Sequence, residues 1–211
     1  MIKDAYRFAV PPILAGAACL AAGWKWHGWD WPGGILIFLG LFVFYFFRDP
    51  ERAIPSEAGA VVSPADGHVV EIVDEPLDGQ MGHRVSIFLS IWDVHVQRAP
   101  VAGRIANVVY RPGRFYGAYR SAASTENEQN VIYMDTPQGT LVFKQIAGAI
   151  ARRVICWKSK GEAVARGERV GLIRFGSRVD MWLPMEAAIV VRRGQMVYGG
   201  ESILAKWNST A

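Results

Sequence analysis

A short repeat bounded by glycines constrains this chain more than any other feature. Gly161-x-x-Val164-x-x-Gly167-Glu168-x-Val170 recurs, at the same internal spacing, as Gly194-x-x-Val197-x-x-Gly200-Glu201-x-Ile203. Glycine at such corners lets the backbone turn with dihedrals that a Cβ forbids. Paired short strands with glycine corners are what a compact β-sandwich or barrel requires. Beyond Phe47 few stretches are long and periodic enough for helix. Residues 48–211 are therefore expected to be mainly β.

The remaining strand signals agree. Gly59 to Val73 holds two β-type runs around Pro64-Ala-Asp-Gly67, where Asp-Gly is a common hairpin turn. Arg84 to Ile91 and Gly103 to Tyr110 read as strands, and Val131 to Asp135 pairs with Thr140 to Ile146 around Pro137-Gln-Gly139. Val170 to Phe175 reads as a strand that enters a tight turn at Gly176-Ser177. The pattern as a whole suits a lipoyl-like (hammerhead) domain. Arg111 to Asn130 is a long polar loop with Arg111, Arg114 and Arg120 beside Phe115, Tyr116 and Tyr119. Those cations suit lipid headgroups, and an exposed loop gives the same pattern.

The first 47 residues differ in kind. Phe8 to Trp24 and Trp31 to Phe47 are apolar runs of about 17 residues, the lower limit for crossing a bilayer core. They are expected to form an α-helical hydrophobic hairpin that either spans the membrane or lies in one leaflet. The Trp24-Lys-Trp-His-Gly-Trp-Asp-Trp31 connector suits an interfacial belt, and Lys3, Arg7, Arg48 and Arg52 put both ends in the cytoplasm. The domains are thus 1–47 and 48–211. Residues 48–211 carry 20 basic against 17 acidic side chains, an excess too mild for nucleic acid and compatible with an anionic membrane surface. The 2 cysteines, Cys19 and Cys156, sit far apart, as in a reducing compartment.

Chemistry concentrates at Gly176-Ser177. Gly176 leaves its carbonyl carbon open to the hydroxyl of Ser177, and attack would turn the amide into an ester. A strained turn would offset part of the cost, and a base must take the proton. Elimination and hydrolysis would then leave a pyruvoyl group at residue 177. Of the 4 histidines, His27 lies in the tryptophan loop and His83 in a glycine-flanked turn, while His68 follows Asp66-Gly67 and His95 leaves a strand beside Asp93. No pair has metal-ligand spacing, so no metal is expected.

Five segments, Phe47-Arg-Asp-Pro-Glu-Arg52, Val62-Ser-Pro-Ala-Asp-Gly67, Phe88-Leu-Ser-x-x-Asp-Val-His95, Arg98-Ala-Pro-Val-x-Gly103 and Phe175-Gly-Ser-Arg-Val-Asp180, occur in this order. Together they resemble the short bacterial and archaeal form of the phosphatidylserine decarboxylases, over nearly all of the chain from Phe47 onward. The resemblance implies a proenzyme that cleaves itself into a β chain (1–176) and an α chain (177–211), which stay together as a heterodimer. It implies that Ser177 becomes a covalent pyruvoyl group taking up the substrate amine as a Schiff base. Asp66 is then the acid of an Asp-His-Ser set and His95 the decarboxylation histidine, with neither metal nor pyridoxal phosphate. Longer relatives carry a second histidine where this chain has Arg98, so the base for self-cleavage stays open between His95 and His68.

The implied reaction converts phosphatidylserine in the membrane to phosphatidylethanolamine and CO₂ on the cytoplasmic face of a bacterial-type inner membrane. Arg111, Arg114 and Arg120 are candidates for the substrate phosphate. Archaetidylserine as substrate, a membrane-anchored lipoyl-like adaptor without activity, and a serine amidase using Ser177, His95 and Asp66 are the alternatives. A higher oligomer stays open.

Overall fold

The computed structural model describes residues 4–149, 153–174 and 176–207, in two compact units, Met1–Glu51 and Arg52–Ala211. The first is a helical hairpin, α1 (Asp4–Gly23) and α2 (Asp30–Phe46). Its helices meet on small residues. A Cβ on Gly16 would lie 2.7 Å from the Gly33 carbonyl oxygen, and one on Gly40 would lie 2.8 Å from that of Ala9. Such close backbone approach is how helices pack where no hydrophobic drive separates them from lipid. Leu14, Phe38 and Leu41 point outward and are exposed. Ala5–Gly23, 19 residues, is long and apolar enough to cross a membrane, whereas α2 has 17.

The second unit is mainly β. Its strands are β1 (Ala60–Val62), β2 (Gly67–Leu77), β3 (Gln80–Leu89), β4 (Val96–Arg98), β5 (Gly103–Arg111), β6 (Gln129–Thr136) and β7 (Gly139–Ile146). There follow β8 (Val154–Cys156), β9 (Ala163–Val164), β10 (Arg169–Ile173), β11 (Ser177–Pro184), β12 (Ala187–Ile189), β13 (Met196–Val197) and β14 (Ile203–Trp207). A short α3 (Ala123–Glu126) interrupts the β5–β6 connection. The eight-stranded sheet runs β13-β2-β3-β11-β7-β6-β5-β9, and two three-stranded sheets run β1-β14-β12 and β4-β10-β8. Apolar side chains of all three, among them Val61, Ile87, Ile105, Phe143, Val170, Val179 and Leu204, meet in one core.

These orders are symmetric about the β7–β11 contact. The set β1–β3 with β11–β14 matches β4–β6 with β7–β10, strand for strand. Reciprocal bonds join the halves: Val62 N–H to the Pro100 carbonyl and Arg98 N–H to the Pro64 carbonyl, both 2.9 Å. The glycine corners obey the same symmetry. Gly161, Gly167, Gly194 and Gly200 all have positive φ, between 78° and 90°. Gly167 and Gly200 donate to Ala99 and Ser63 at 2.8 Å, and Gly161 and Gly194 to Ile105 and Val69 at 2.7 Å. The lipoyl-like repeat thus extends into the first half of the domain, where Ser63-Pro64 and Ala99-Pro100 are its other ends.

Some local expectations are corrected. Pro64-Ala-Asp-Gly67 is not a hairpin turn, because β1 pairs with β14 while β2 pairs with β3 and β13. The chain crosses between sheets there, and Gly67 takes φ +142° against the Phe88 carbonyl. The Gly176-Ser177 step is likewise a crossover, since Ser177 already belongs to β11 and β10 lies in another sheet. β10 ends at Ile173, and Phe175, the expected end of that strand, lies outside the described residues. His68 and His83 are in strands, not turns, and His83 Nδ1 bonds Asp74 at 2.6 Å. The 111–130 loop contains α3.

A Cβ on residue 67 would lie 2.2 Å from backbone oxygen of Phe88, with φ already unfavourable for an L side chain. Gly67→Ala is therefore expected to cost about 2 kcal/mol or more and to lower the thermal midpoint by roughly 5 °C, read by calorimetry.

Candidate active site

β11 is hydrogen-bonded on both edges. Ser177 pairs with Leu89 of β3, and Arg178 pairs with Phe88 and with Ile146 of β7. Alternation along β11 sends Ser177, Val179, Met181 and Leu183 to the core face. The Ser177 hydroxyl is fully buried and has no hydrogen-bond partner among the described residues. Leaving such a group unsatisfied costs about 1–3 kcal/mol, so its presence calls for a chemical reason. Immediately before it, Gly176 takes φ +50°, a conformation that favours glycine. The Gly176 carbonyl lies against the α-carbon of Gly148, where a Cβ would come within 2.0 Å of its oxygen. That backing is made possible by the missing side chain at 148.

His95 ends the segment before β4 and is fully buried. Its carbonyl accepts the Ile173 N–H at 3.3 Å, so it faces the end of β10, just ahead of Gly176. His95 Nδ1 lies 2.9 Å from the Asp93 carbonyl, which can only accept. The proton must therefore sit on Nδ1, and the neutral ring presents a lone pair at Nε2. Asp93 is itself fixed by the Ser90 N–H at 2.7 Å and its hydroxyl at 2.8 Å. A buried amide ladder supports the same backbone. Gln97 Nε2 donates to the His95 carbonyl at 2.8 Å, Gln145 Nε2 to Gln97 Oε1 at 2.9 Å and Asn130 Nδ2 to Gln145 Oε1 at 3.0 Å.

Asp66 is buried, with its carboxylate between Arg52 and a backbone amide. Arg52 Nη2 reaches both oxygens at 2.8 and 3.0 Å, and the Gly199 N–H donates at 2.7 Å. Burial nevertheless prevails over these contacts and, with the nearby Asp93 charge, raises the Asp66 pKa above the ordinary carboxylate value. Glu201 holds the other side of the guanidinium at 3.4 Å. Of the Asp-His-Ser set, His95 and Ser177 are thus brought to the β10–β11 crossover, while Asp66 is held by the segment that follows the hairpin. His68 is exposed. It shares a row with Phe88 and Arg178, so its side chain lies on the face opposite that of Ser177. Arg98 is buried and donates to the Gly167 carbonyl at 3.0 Å, tying β4 to a glycine corner.

Behind the crossover lies a charged cluster that pattern reading does not reveal. Arg178, 1% exposed, donates to Asp180 at 2.6 Å, Ser86 at 2.7 Å and Glu71 at 2.8 Å. Arg84 donates to Glu71 at 2.8 Å, Ser86 at 2.6 Å and Glu75 at 2.7 Å. Burial alone would raise the pKa of Glu71, but bonds from Arg178 and Arg84 outweigh it and hold it low. Ser124 of α3 donates to Asp180, which fastens the loop over this face. Asn127 ties the same loop to the Tyr116 and Ala147 carbonyls at 2.8 and 2.7 Å. Ala118 consequently packs beside Gly148. Of the loop arginines, Arg111 ends β5, Arg114 is exposed beside Tyr116 and Glu126, and Arg120 lies 5.9 Å from the Tyr119 ring. Among the described residues no cluster of His, Cys, Asp and Glu could hold a metal ion.

Residues 39–205 match the family model described as "Phosphatidylserine decarboxylase". The "Phosphatidylserine decarboxylase proenzyme" of Magnetococcus marinus (strain ATCC BAA-1437 / JCM 17883 / MC-1) is 43% identical over 202 residues. That match covers 94% of this chain and 91% of the relative.

The raised pKa of Asp66 gives a signed prediction. Between the unfolded value near 3.8 and the higher folded value, the folded chain binds more protons than the unfolded chain. Stability from this group is therefore full below that window and is lost as pH rises through it. Asp66→Asn removes the dependence: thermal midpoints across pH 3 to 8 should show wild type losing stability relative to the variant as pH rises.

Proposed function

Since this chain belongs to the phosphatidylserine decarboxylase family, we propose that it decarboxylates phosphatidylserine to phosphatidylethanolamine after cutting its own backbone between Gly176 and Ser177. Membership makes the chain a decarboxylase, and the adaptor reading is set aside. The observation that carries the proposal is the Ser177 hydroxyl, buried and unpartnered among the described residues, directly after a glycine at φ +50°.

In the cleavage step, Ser177 Oγ attacks the Gly176 carbonyl carbon, and acyl transfer from nitrogen to oxygen gives an ester and a free amine. Loss of the Ser177 Cα proton expels the Gly176 carboxylate and leaves a dehydroalanine. Water then replaces its nitrogen, ammonia leaves, and residue 177 becomes a pyruvoyl group. Residues 1–176 and 177–211 remain together because β11 is paired with β3 and β7 and Arg178 is bonded to Glu71 and Ser86. His95, with its proton fixed on Nδ1 by the Asp93 carbonyl, carries its lone pair on Nε2, and we assign it the base of this step.

The pyruvoyl carbonyl, once formed, supplies an electron sink for the carbanion left when CO₂ departs. His95 returns a proton to that carbon as general acid. Gly148 keeps the cleavage point free of side-chain bulk, and the Asp66–Arg52 pair braces the adjoining backbone at Gly199. The apolar hairpin holds the domain at the cytoplasmic face of the membrane, where the substrate lies, and raises its effective concentration. No diffusible cofactor and no metal take part in this scheme.

Ser177→Ala is expected to remain one chain on a denaturing gel and to form no phosphatidylethanolamine from phosphatidylserine vesicles. A variant that still split at this bond would refute the mechanism. Gly148→Ala must displace the Gly176 carbonyl, so a time course of chain cleavage should slow by at least tenfold in a folded protein.

A further inference from the structure

The two ends of the eight-stranded sheet carry different loops. His68, Phe88, Arg178, Ile146, Gln129 and Arg111 occupy one row across β2, β3, β11, β7, β6 and β5, one residue in from Ser177. β3, β5 and β7 end at or near this row, and β2, β6 and β11 begin there. The connections that follow β3, β5 and β7 therefore leave the sheet at the end where Ser177 lies, together with the β10–β11 crossover.

That end is aromatic and cationic. Trp92, after β3, and Phe115 and Tyr119, after β5, are 58%, 40% and 66% exposed. Arg111, Arg114, Arg120 and Arg153 are exposed as well, and the Arg153 carbonyl accepts the Arg174 N–H at 3.3 Å, beside the crossover. Among the described residues of these connections the one exposed acid is Glu126, 3.5 Å from Arg114. The turns at the opposite end present the exposed acids Asp78, Asp135 and Glu186 instead. Aromatic side chains suit a bilayer interface, and each arginine near an anionic surface contributes about 1 kcal/mol.

Reach points the same way. β11 has 8 residues, so its two ends lie about 25 Å apart. The headgroup layer of a bilayer is only about 5–8 Å deep on each side, and a headgroup whose acyl chains stay in the membrane cannot travel much beyond it. The chain also enters the domain at this end, since Arg52, its first residue, bonds Asp66 just ahead of β2 at 2.8 Å. We propose that the domain docks end-on against an anionic bilayer through Trp92, Phe115 and Tyr119, with the four arginines meeting headgroup phosphates. This contact is made by the β domain itself, in addition to the apolar hairpin, and it turns residue 177 toward the lipid. It rests on the reading of residue 177 as the reacting centre.

The test uses the full-length protein in phosphatidylcholine vesicles with and without phosphatidylglycerol, an anionic lipid that lacks the amine the reaction needs. Amide hydrogen exchange over residues 91–93 and 113–121 should slow by roughly threefold or more when phosphatidylglycerol is present, with the 78–79 and 137–139 turns unchanged. The difference should vanish in about 1 M salt, where screening acts beyond about 3 Å. Trp92→Ser, Phe115→Ser and Tyr119→Ser combined should leave self-cleavage, and turnover of detergent-dispersed phosphatidylserine, within about twofold of wild type and raise KM for vesicles about tenfold. Equal exchange in the two vesicles, protection of the 78–79 or 137–139 turn instead, or an unchanged vesicle KM overturns the docking. So does an equal loss in detergent and in vesicles, because the aromatics would then act within the fold. The exchange measurement needs no turnover, so a chain that splits and decarboxylates without this protection refutes the docking alone. An active chain that never splits contradicts the reading of residue 177.

Discussion

The placement of β11 between β3 and β7 is the constraint on which the rest depends. The scission proposed at Gly176-Ser177 needs the downstream side of the bond held without help from its upstream side. β11 meets that need, because it pairs along both edges and continues into a strand of the core. Ser177 is its first residue, so the covalent link to Gly176 can be lost while the two ladders keep the new terminus in register. The pseudo-symmetry explains why this strand is central: β11 and β7 are equivalent members of the two halves, and the axis runs between them. Only one half carries the proposed chemistry, since by register the β7 residue equivalent to Ser177 is Gly139, which has no side chain.

Buried charge reinforces the same strand. Arg178 and Asp180 face away from the core, yet they are among the most enclosed side chains in the protein. An uncompensated charge at such depth would be strongly destabilising, so the cluster is viable only because Glu71, Arg84, Ser86 and Ser124 complete it. This is also what draws the 112–128 loop down onto the sheet, bringing Ala118 to Gly148 and leaving Tyr119 exposed beside it. The loop that appears in sequence as a run of arginines and aromatics is fixed by polar bonds at Ser124 and Asn127.

The β class, the glycine corners and the apolar hairpin are all legible in the sequence, because positive φ and long apolar runs leave marks that few residue types can supply. Strand partners are less so. Asp66-Gly67 looks like a hairpin turn, and the local signal is the same whether the flanking strands pair with each other or, as here, with β14 and β3. The Gly176-Ser177 crossover was hidden for the same reason. Long-range partners leave no local mark at all: nothing near Asp66 announces that Arg52 and Gly199 will hold it, and nothing near Arg178 announces Glu71. Gly148 and the Gln97–Gln145–Asn130 ladder are single polar or small residues in strands or loops, without spacing to distinguish them.

The central claim is that the chain makes its own electrophile at residue 177, and the most direct measurement is the intact mass of every polypeptide in a fully active preparation. The account predicts two species, residues 1–176 and a fragment 177–211 lighter by one ammonia than the same fragment beginning with serine. Full activity from a single unbroken chain of 23.3 kDa, or a small fragment with an ordinary amino terminus, would contradict it.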